Sequence, residues 1–98
     1  MSTSPSKDWS VEIVESGRSG SVNYHEPSGS ISFYWEFGGG DVVAFISVGD
    51  SATWNTRYPW AVERRREILE RVGREVIRQK APKCRADIDD ANGYIYIR

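Results

Sequence analysis

The stretch Ile31-Ser-Phe-Tyr-Trp-Glu-Phe-Gly-Gly-Gly-Asp-Val-Val-Ala-Phe-Ile-Ser-Val48 decides the fold class of this chain. Two runs of alternating apolar residues flank three glycines, the pattern of a β-hairpin whose turn needs residues tolerant of positive φ. Side-chain matching sets the register. An even-length loop, either Gly39-Gly40 or Gly38 to Asp41, places Phe37 opposite Val42, Trp35 opposite Ala44, Phe33 opposite Ile46 and Ile31 opposite Val48, so one face is wholly apolar. A three-residue loop would oppose Phe37 to Asp41 and turn every side chain to the wrong face. On the other face Ser32, Tyr34 and Glu36 meet Ser47, Phe45 and Val43.

Upstream, Trp9 to Glu15 and Ser21 to Glu26 read as strands with Val11, Ile13, Val22 and Tyr24 on their apolar sides, separated by turns at Gly17–Gly20 and Pro27–Gly29. Downstream, Gly49 to Tyr58 reads as a loop containing Trp54. Pro59 suits the first turn of a helix from Trp60 to about Lys80. In that helix Ala61, Ile68, Leu69, Val72 and Val76 form one stripe, and Glu63, Glu67, Arg71, Arg74 and Arg78 lie opposite. Ala81-Pro82 ends it. Arg85 to Asp90 and Tyr94 to Arg98 form a closing hairpin around Asn92-Gly93, with Ile88, Ile95 and Ile97 towards the core and Tyr94 and Tyr96 away from it. The expected fold is α+β: an antiparallel sheet of about six strands, in chain order β-β-β-β-α-β-β, with one long helix packed on one face. A polar tail over residues 1–8 is expected to be disordered, and residues 9–98 to form one domain.

Four Trp, five Tyr and three Phe supply the bulk that a 98-residue core needs. One cysteine, Cys84, makes no internal disulfide, which points to a reducing cytosol; a bacterial-type cytosolic protein is the expectation. No apolar run is long enough to span a membrane. Charge is split along the chain. Residues 1–56 carry two Lys/Arg against seven Asp/Glu, and residues 57–98 carry eleven against seven. Acids are interleaved through the basic half, so attraction between an acidic sheet and a basic helix accounts for the split better than a nucleic-acid tail.

Motifs that carry chemistry are scarce. A single His and a single Cys do not make a zinc site. Asp87-Ile-Asp-Asp-Ala-Asn-Gly93 begins like a calcium loop, but Ala91 falls where a ligand is needed and the twelfth position is Arg98 in place of the Glu a calcium loop requires. Gly38-Gly-Gly40 lacks the Lys-Ser/Thr of a phosphate loop and precedes a strand. No cofactor is implied. A small enzyme would need His25, Glu36 and Arg65 to converge in a pocket, or Cys84 to meet His25. A nucleic-acid-binding module would use the arginine-rich helix, yet Glu67–Arg71, Glu70–Arg74, Arg71–Glu75 and Arg66–Glu70 are spaced for ion pairs that neutralise it. Arg65 falls within the apolar stripe, where Glu36, Asp50 or an aromatic face could hold it.

Two surfaces stand out. The sheet face away from the helix would carry Tyr34, Glu36, Val43, Phe45, Tyr94 and Tyr96, unless the N-terminal strands fold over it as a second layer. The second is the cluster Trp54, Arg57, Tyr58 and Trp60, of the residue types that dominate interface hot spots and also plug core ends. The leading expectation is a non-catalytic protein-binding module, immunity-like or adaptor, with a protein partner or a second copy of itself. No motif is specific enough to name a family.

Overall fold

A computed structural model describes residues 8–98; the rest of the N-terminal segment expected to be disordered lies outside the described residues. Six strands form one antiparallel sheet: β1 (Ser10–Ser16), β2 (Ser19–Glu26), β3 (Gly29–Phe37), β4 (Ala44–Ser47), β5 (Ala86–Asp89) and β6 (Tyr94–Ile97). Between β4 and β5 the chain forms a short helix α1 (Ser51–Arg57), a 3-10 segment (Pro59–Arg64) and the long helix α2 (Arg65–Lys80). The spatial order is β1-β2-β3-β4-β6-β5, so the last strand in the chain, not β5, sits beside β4. The α+β architecture is the expected one, with a second helix added.

The β3–β4 register keeps its face assignment but slides by two residues. Trp35 pairs with Ile46 and Phe37 with Ala44, in place of Ala44 and Val42. Backbone bonds hold this shifted register beyond β4: Val43 O accepts from Gly38 N at 2.9 Å and Val43 N–H donates to the Ile97 carbonyl at 2.8 Å, with residues 39–42 as the turn between. Of the three glycines only Gly40 takes positive φ, at +63°. Alternation places Val22, Tyr24, Ile31, Phe33, Trp35, Ile46, Ile95 and Ile97 on the inner face, all buried against Ile68, Leu69 and Val72 of α2. Phe37, expected in the core, is 41% exposed because it lies at the sheet's end beyond the helix cover.

Helix α1 occupies what reads as loop. Asp50 caps it, its Oδ1 accepting from Thr53 N at 2.8 Å. Trp54 is its single buried residue, so no 3.6-residue periodicity announced it. The long helix begins later than its apolar stripe suggests. Trp54 Nε1 donates to the Ala61 carbonyl at 2.8 Å, taking the acceptor that a regular helix would offer to Arg65 N–H. Ala61 accordingly departs from helical geometry at φ −126°, ψ 23°.

The closing hairpin docks through two glycine backbones. Val48 N and Gly49 N both donate to Gly93 O, at 2.8 and 3.2 Å. A Cβ on Gly93, at φ +75°, would lie 2.8 Å from the Gly49 carbonyl carbon. Gly93→Ala is therefore expected to cost about 3 kcal/mol, a fall of about 15 °C in thermal midpoint. Gly17→Ala, at φ +67° with nothing within 4 Å, should cost only about 1 kcal/mol. Equal losses in thermal melts would show that the Gly49–Gly93 contact contributes nothing.

Candidate functional site

Both helices and the 3-10 segment pack on the inner face, and β1 and β2 extend the sheet rather than folding over it. The second layer considered from sequence is therefore absent among the described residues. The outer face can be laid out from the register. One cross-strand row reads Ser19, Glu36, Phe45, Tyr96, Asp87; the next reads Ser21, Tyr34, Ser47, Tyr94, Asp89. Tyr34, Glu36, Phe45, Tyr94 and Tyr96 thus share one surface, as expected. Phe45 meets Tyr94 edge-on at 5.6 Å, and Tyr94 stacks with Tyr96 at 5.9 Å. Tyr34 stands 50% exposed at the margin of this cluster.

Arg98 joins it. Its guanidinium lies 4.9 Å from the Tyr96 ring centroid, and its Nε donates to Asp87 Oδ2 at 2.8 Å. The alternation that turns Tyr94 and Tyr96 outward carries Arg98 with them, a signal that the sequence holds. Arg98 and Arg85 hold the Asp87 carboxyl below the usual carboxylate range. The side chain and backbone N–H of Asn92 do the same for Asp89, with a smaller share from Tyr96. Burial and the nearby Asp89 push the Tyr96 hydroxyl up. Asp87 on this face is offset by Arg98 and Arg85, and Glu12, Glu36 and Asp89 occupy further ladder positions of the same face, so acids other than Asp87 give it its negative charge.

Val43 belongs elsewhere. Its backbone accepts from Gly38 N at 2.9 Å and donates to Ile97 O at 2.8 Å, and its side chain lies at the rim of an inner-face pocket of about 170 Å³ at the C-terminal end of α2, together with Phe37, Glu15 and Lys80.

The Trp54, Arg57, Tyr58, Trp60 cluster divides. Trp54 is 1% exposed, stacked 6.2 Å from Phe33 and edge-on to Tyr58 at 5.0 Å, so it plugs the core and presents nothing to a partner. Trp60 seats on Gly29, where an added Cβ would come within 2.5 Å of the indole. Arg57 is exposed, with its guanidinium 5.9 Å over the Tyr58 ring. A groove of about 270 Å³ between α1, the middle of β3 and the end of β4 is lined by Tyr34, Arg57 and Tyr58 among others, and so joins this cluster to the outer face.

Of the holders expected for Arg65, the aromatic face is present and the carboxylate is Asp90 rather than Glu36 or Asp50. Arg65 Nη2 donates to Gly49 O at 2.9 Å and to Asp90 Oδ1 at 3.2 Å, and its guanidinium lies 5.5 Å from the Trp54 ring. It clamps the Gly49–Gly93 junction to α2. Glu36 is on the opposite face of the sheet, and Asp50 is occupied as the α1 cap. His25 also lies on the outer face, bonded to Ser30 at 2.9 Å, six residues along β3 or roughly 20 Å from Glu36. His25, Glu36 and Arg65 are therefore not brought together.

The strongest electrostatic cluster was not visible in the sequence. Glu26, its side chain 7% exposed, accepts from Arg64 Nη1 and Nη2 at 2.8 and 2.7 Å and from Tyr24 Oη at 2.6 Å; Arg71 Nη1 donates to Tyr24 Oη at 2.8 Å. Arg64 is the main cause holding the Glu26 carboxyl down at about 2. These partners are 38 to 47 residues apart, so helical spacing could not reveal them. Of the expected helix pairs, Arg66–Glu70 and Arg71–Glu67 form, at 3.1 and 2.8 Å. Arg74 is drawn to neither Glu70 nor any other carboxylate among the described residues, and faces an open groove of about 570 Å³ between α2 and β5 with Cys84 and Arg85. Among the described residues no cluster of three or more His, Cys, Asp or Glu could hold a metal, and no helix is long and apolar enough to cross a membrane.

Comparison with known proteins finds no matching family model, no matching curated protein and no matching solved structure.

Proposed function

We propose that the protein is a non-catalytic cytosolic binding module whose outer sheet face docks a basic surface of another protein, as an immunity-like neutraliser or an adaptor does. One observation carries the reading: among the described residues every covering element packs on one side of the sheet, and the other side holds an aromatic cluster of Phe45, Tyr94 and Tyr96 with Tyr34 and Arg98 at its margin. Tyr and Arg are the residues on which interface energy concentrates. The negative charge of this face selects the partner's charge. It also disfavours a second copy on the same face, because like charges would be opposed. The free, half-buried Cys84 suits a reducing compartment. Nucleic acid ranks lower, since Arg64, Arg65, Arg66, Arg71 and Arg78 are engaged by carboxylates.

The test pairs affinity with stability. For a protein captured by the wild-type chain, Tyr34→Ala and Tyr94→Ala should each weaken binding about 10- to 100-fold. Tyr34→Ala should hold its thermal midpoint within about 4 °C. Light scattering of the free chain should report a monomer. A captured protein indifferent to both substitutions would overturn the reading. So would a low-salt gel shift on generic RNA that Arg74→Ala diminishes.

A further inference from the structure

We propose that the pocket at the C-terminal end of α2 is a binding site for a small uncharged apolar molecule, of the size of a single hydrocarbon ring or a short branched chain. Its wall is built from Ile13, Val22, Trp35, Ile46, Val76 and Ile97, drawn from five strands and the helix, and its volume is about 170 Å³. A dry apolar cavity of about 150 Å³ is enough to take up benzene.

The volume is propped open. Trp35, the one wall residue large enough to fill it, is pinned by its Nε1 bond to the Val14 carbonyl at 3.1 Å and by edge-on contact with Phe37 at 5.0 Å. The helix cannot settle onto the sheet there. Gln79 Nε2 bonds the Val11 carbonyl at 3.0 Å, and Lys80 Nζ bonds Glu15 Oε2 at 2.6 Å, so both struts fix the helix end to β1. Phe37 and Val43, 41% and 48% exposed, give an apolar lip open to solvent. Charge at the mouth fixes the ligand class. Lys80 and Glu15 already neutralise one another, so an anion or a cation would have to break that pair, whereas an uncharged ring leaves it intact.

Benzene is the probe, read by methyl and amide NMR on the full chain. It should bind with a Kd of about 1 mM or tighter, shift the resonances of Val22, Val76 and Ile97, and leave Val48 and Ile68 unmoved. At twenty times Kd the thermal midpoint should rise by about 10 °C. Ala44→Leu, which extends a side chain from the wall, should weaken benzene at least tenfold and raise the midpoint of the free protein. Val76→Leu gives a second filling variant should Ala44→Leu misfold. Hexanoate and hexylammonium should bind more weakly than benzene. The Tyr34→Ala, Tyr94→Ala protein should bind benzene as the wild type does, which separates this site from the outer face. Absence of benzene-induced shifts at Val76 and Ile97 would overturn the proposal. Tighter binding of hexanoate, abolished by Lys80→Met, would overturn the uncharged assignment.

Discussion

Replacing Trp54 with alanine is expected to lower stability by about 4 kcal/mol, a drop of about 20 °C in the thermal midpoint of a domain this size. Three losses coincide. The indole leaves a fully buried site against Phe33 and Tyr58. The Ala61 carbonyl loses the donor that compensates for its broken helical bond. The Arg65 guanidinium loses the ring beneath it while remaining 8% exposed, with its Nη1 already buried and unpaired among the described residues. Trp54→Phe keeps the ring and gives up the hydrogen bond, and should cost about 1–2 kcal/mol. Calorimetric melts of the two variants decide it. A loss below about 1 kcal/mol for Trp54→Ala would mean that α1 packs loosely and that the Trp54 cluster is a surface after all.

The second large effect is pH-dependent and centres on Glu26. Its carboxyl titrates at about 2 in the folded protein, against roughly 4.3 for an unperturbed glutamate. Unfolding therefore takes up a proton in the interval between. The stabilisation is fully present above about pH 5 and is lost as pH falls towards 2. The full shift would be worth about 3 kcal/mol; with Arg64 30% exposed and partly screened, about 2 kcal/mol is expected. Denaturant unfolding should show Glu26→Gln less stable than the wild type by that amount at pH 7, with the two curves converging towards pH 2. A gap between them that persists undiminished at pH 2 would assign the loss to packing around Tyr24, not to ionisation.

Inward and outward alternation was legible because period-two patterning is local. Ile31, Phe33, Trp35, Ile46, Ile95 and Ile97 are buried as their spacing requires, and Tyr34, Tyr94 and Tyr96 face out. What local pattern does not encode is reach. The Val43–Ile97 backbone bond joins residues on either side of the whole helical segment, and together with the Gly38–Val43 bond it holds the shifted register in which Val43 lies at the pocket rim. Arg65 was readable as an anomaly within an apolar stripe, but its acceptors Gly49 O and Asp90 lie in two turns that meet only once β6 docks beside β4. Phe37 shows the converse error: correct parity, yet exposed, because the register of a strand does not say where its cover ends. The pocket was illegible for the same reason, being defined by struts between residues far apart in sequence, Glu15 with Lys80 and Val11 with Gln79.

The Gln79 strut has a consequence for self-aggregation. An antiparallel sheet ends in two strands whose backbone groups invite a foreign strand to add on. On β1, Gln79 already occupies the Val11 carbonyl with a donor from the chain's own helix, and Glu12 and Glu15 add charge along that margin. On β5, the opposite margin is four residues long and carries Asp87 and Asp89. Both ends of the sheet are thus poor templates for fibril-like growth. The aromatic face is left open while the sheet's margins, where runaway polymerisation would begin, carry charge and a bonded carbonyl.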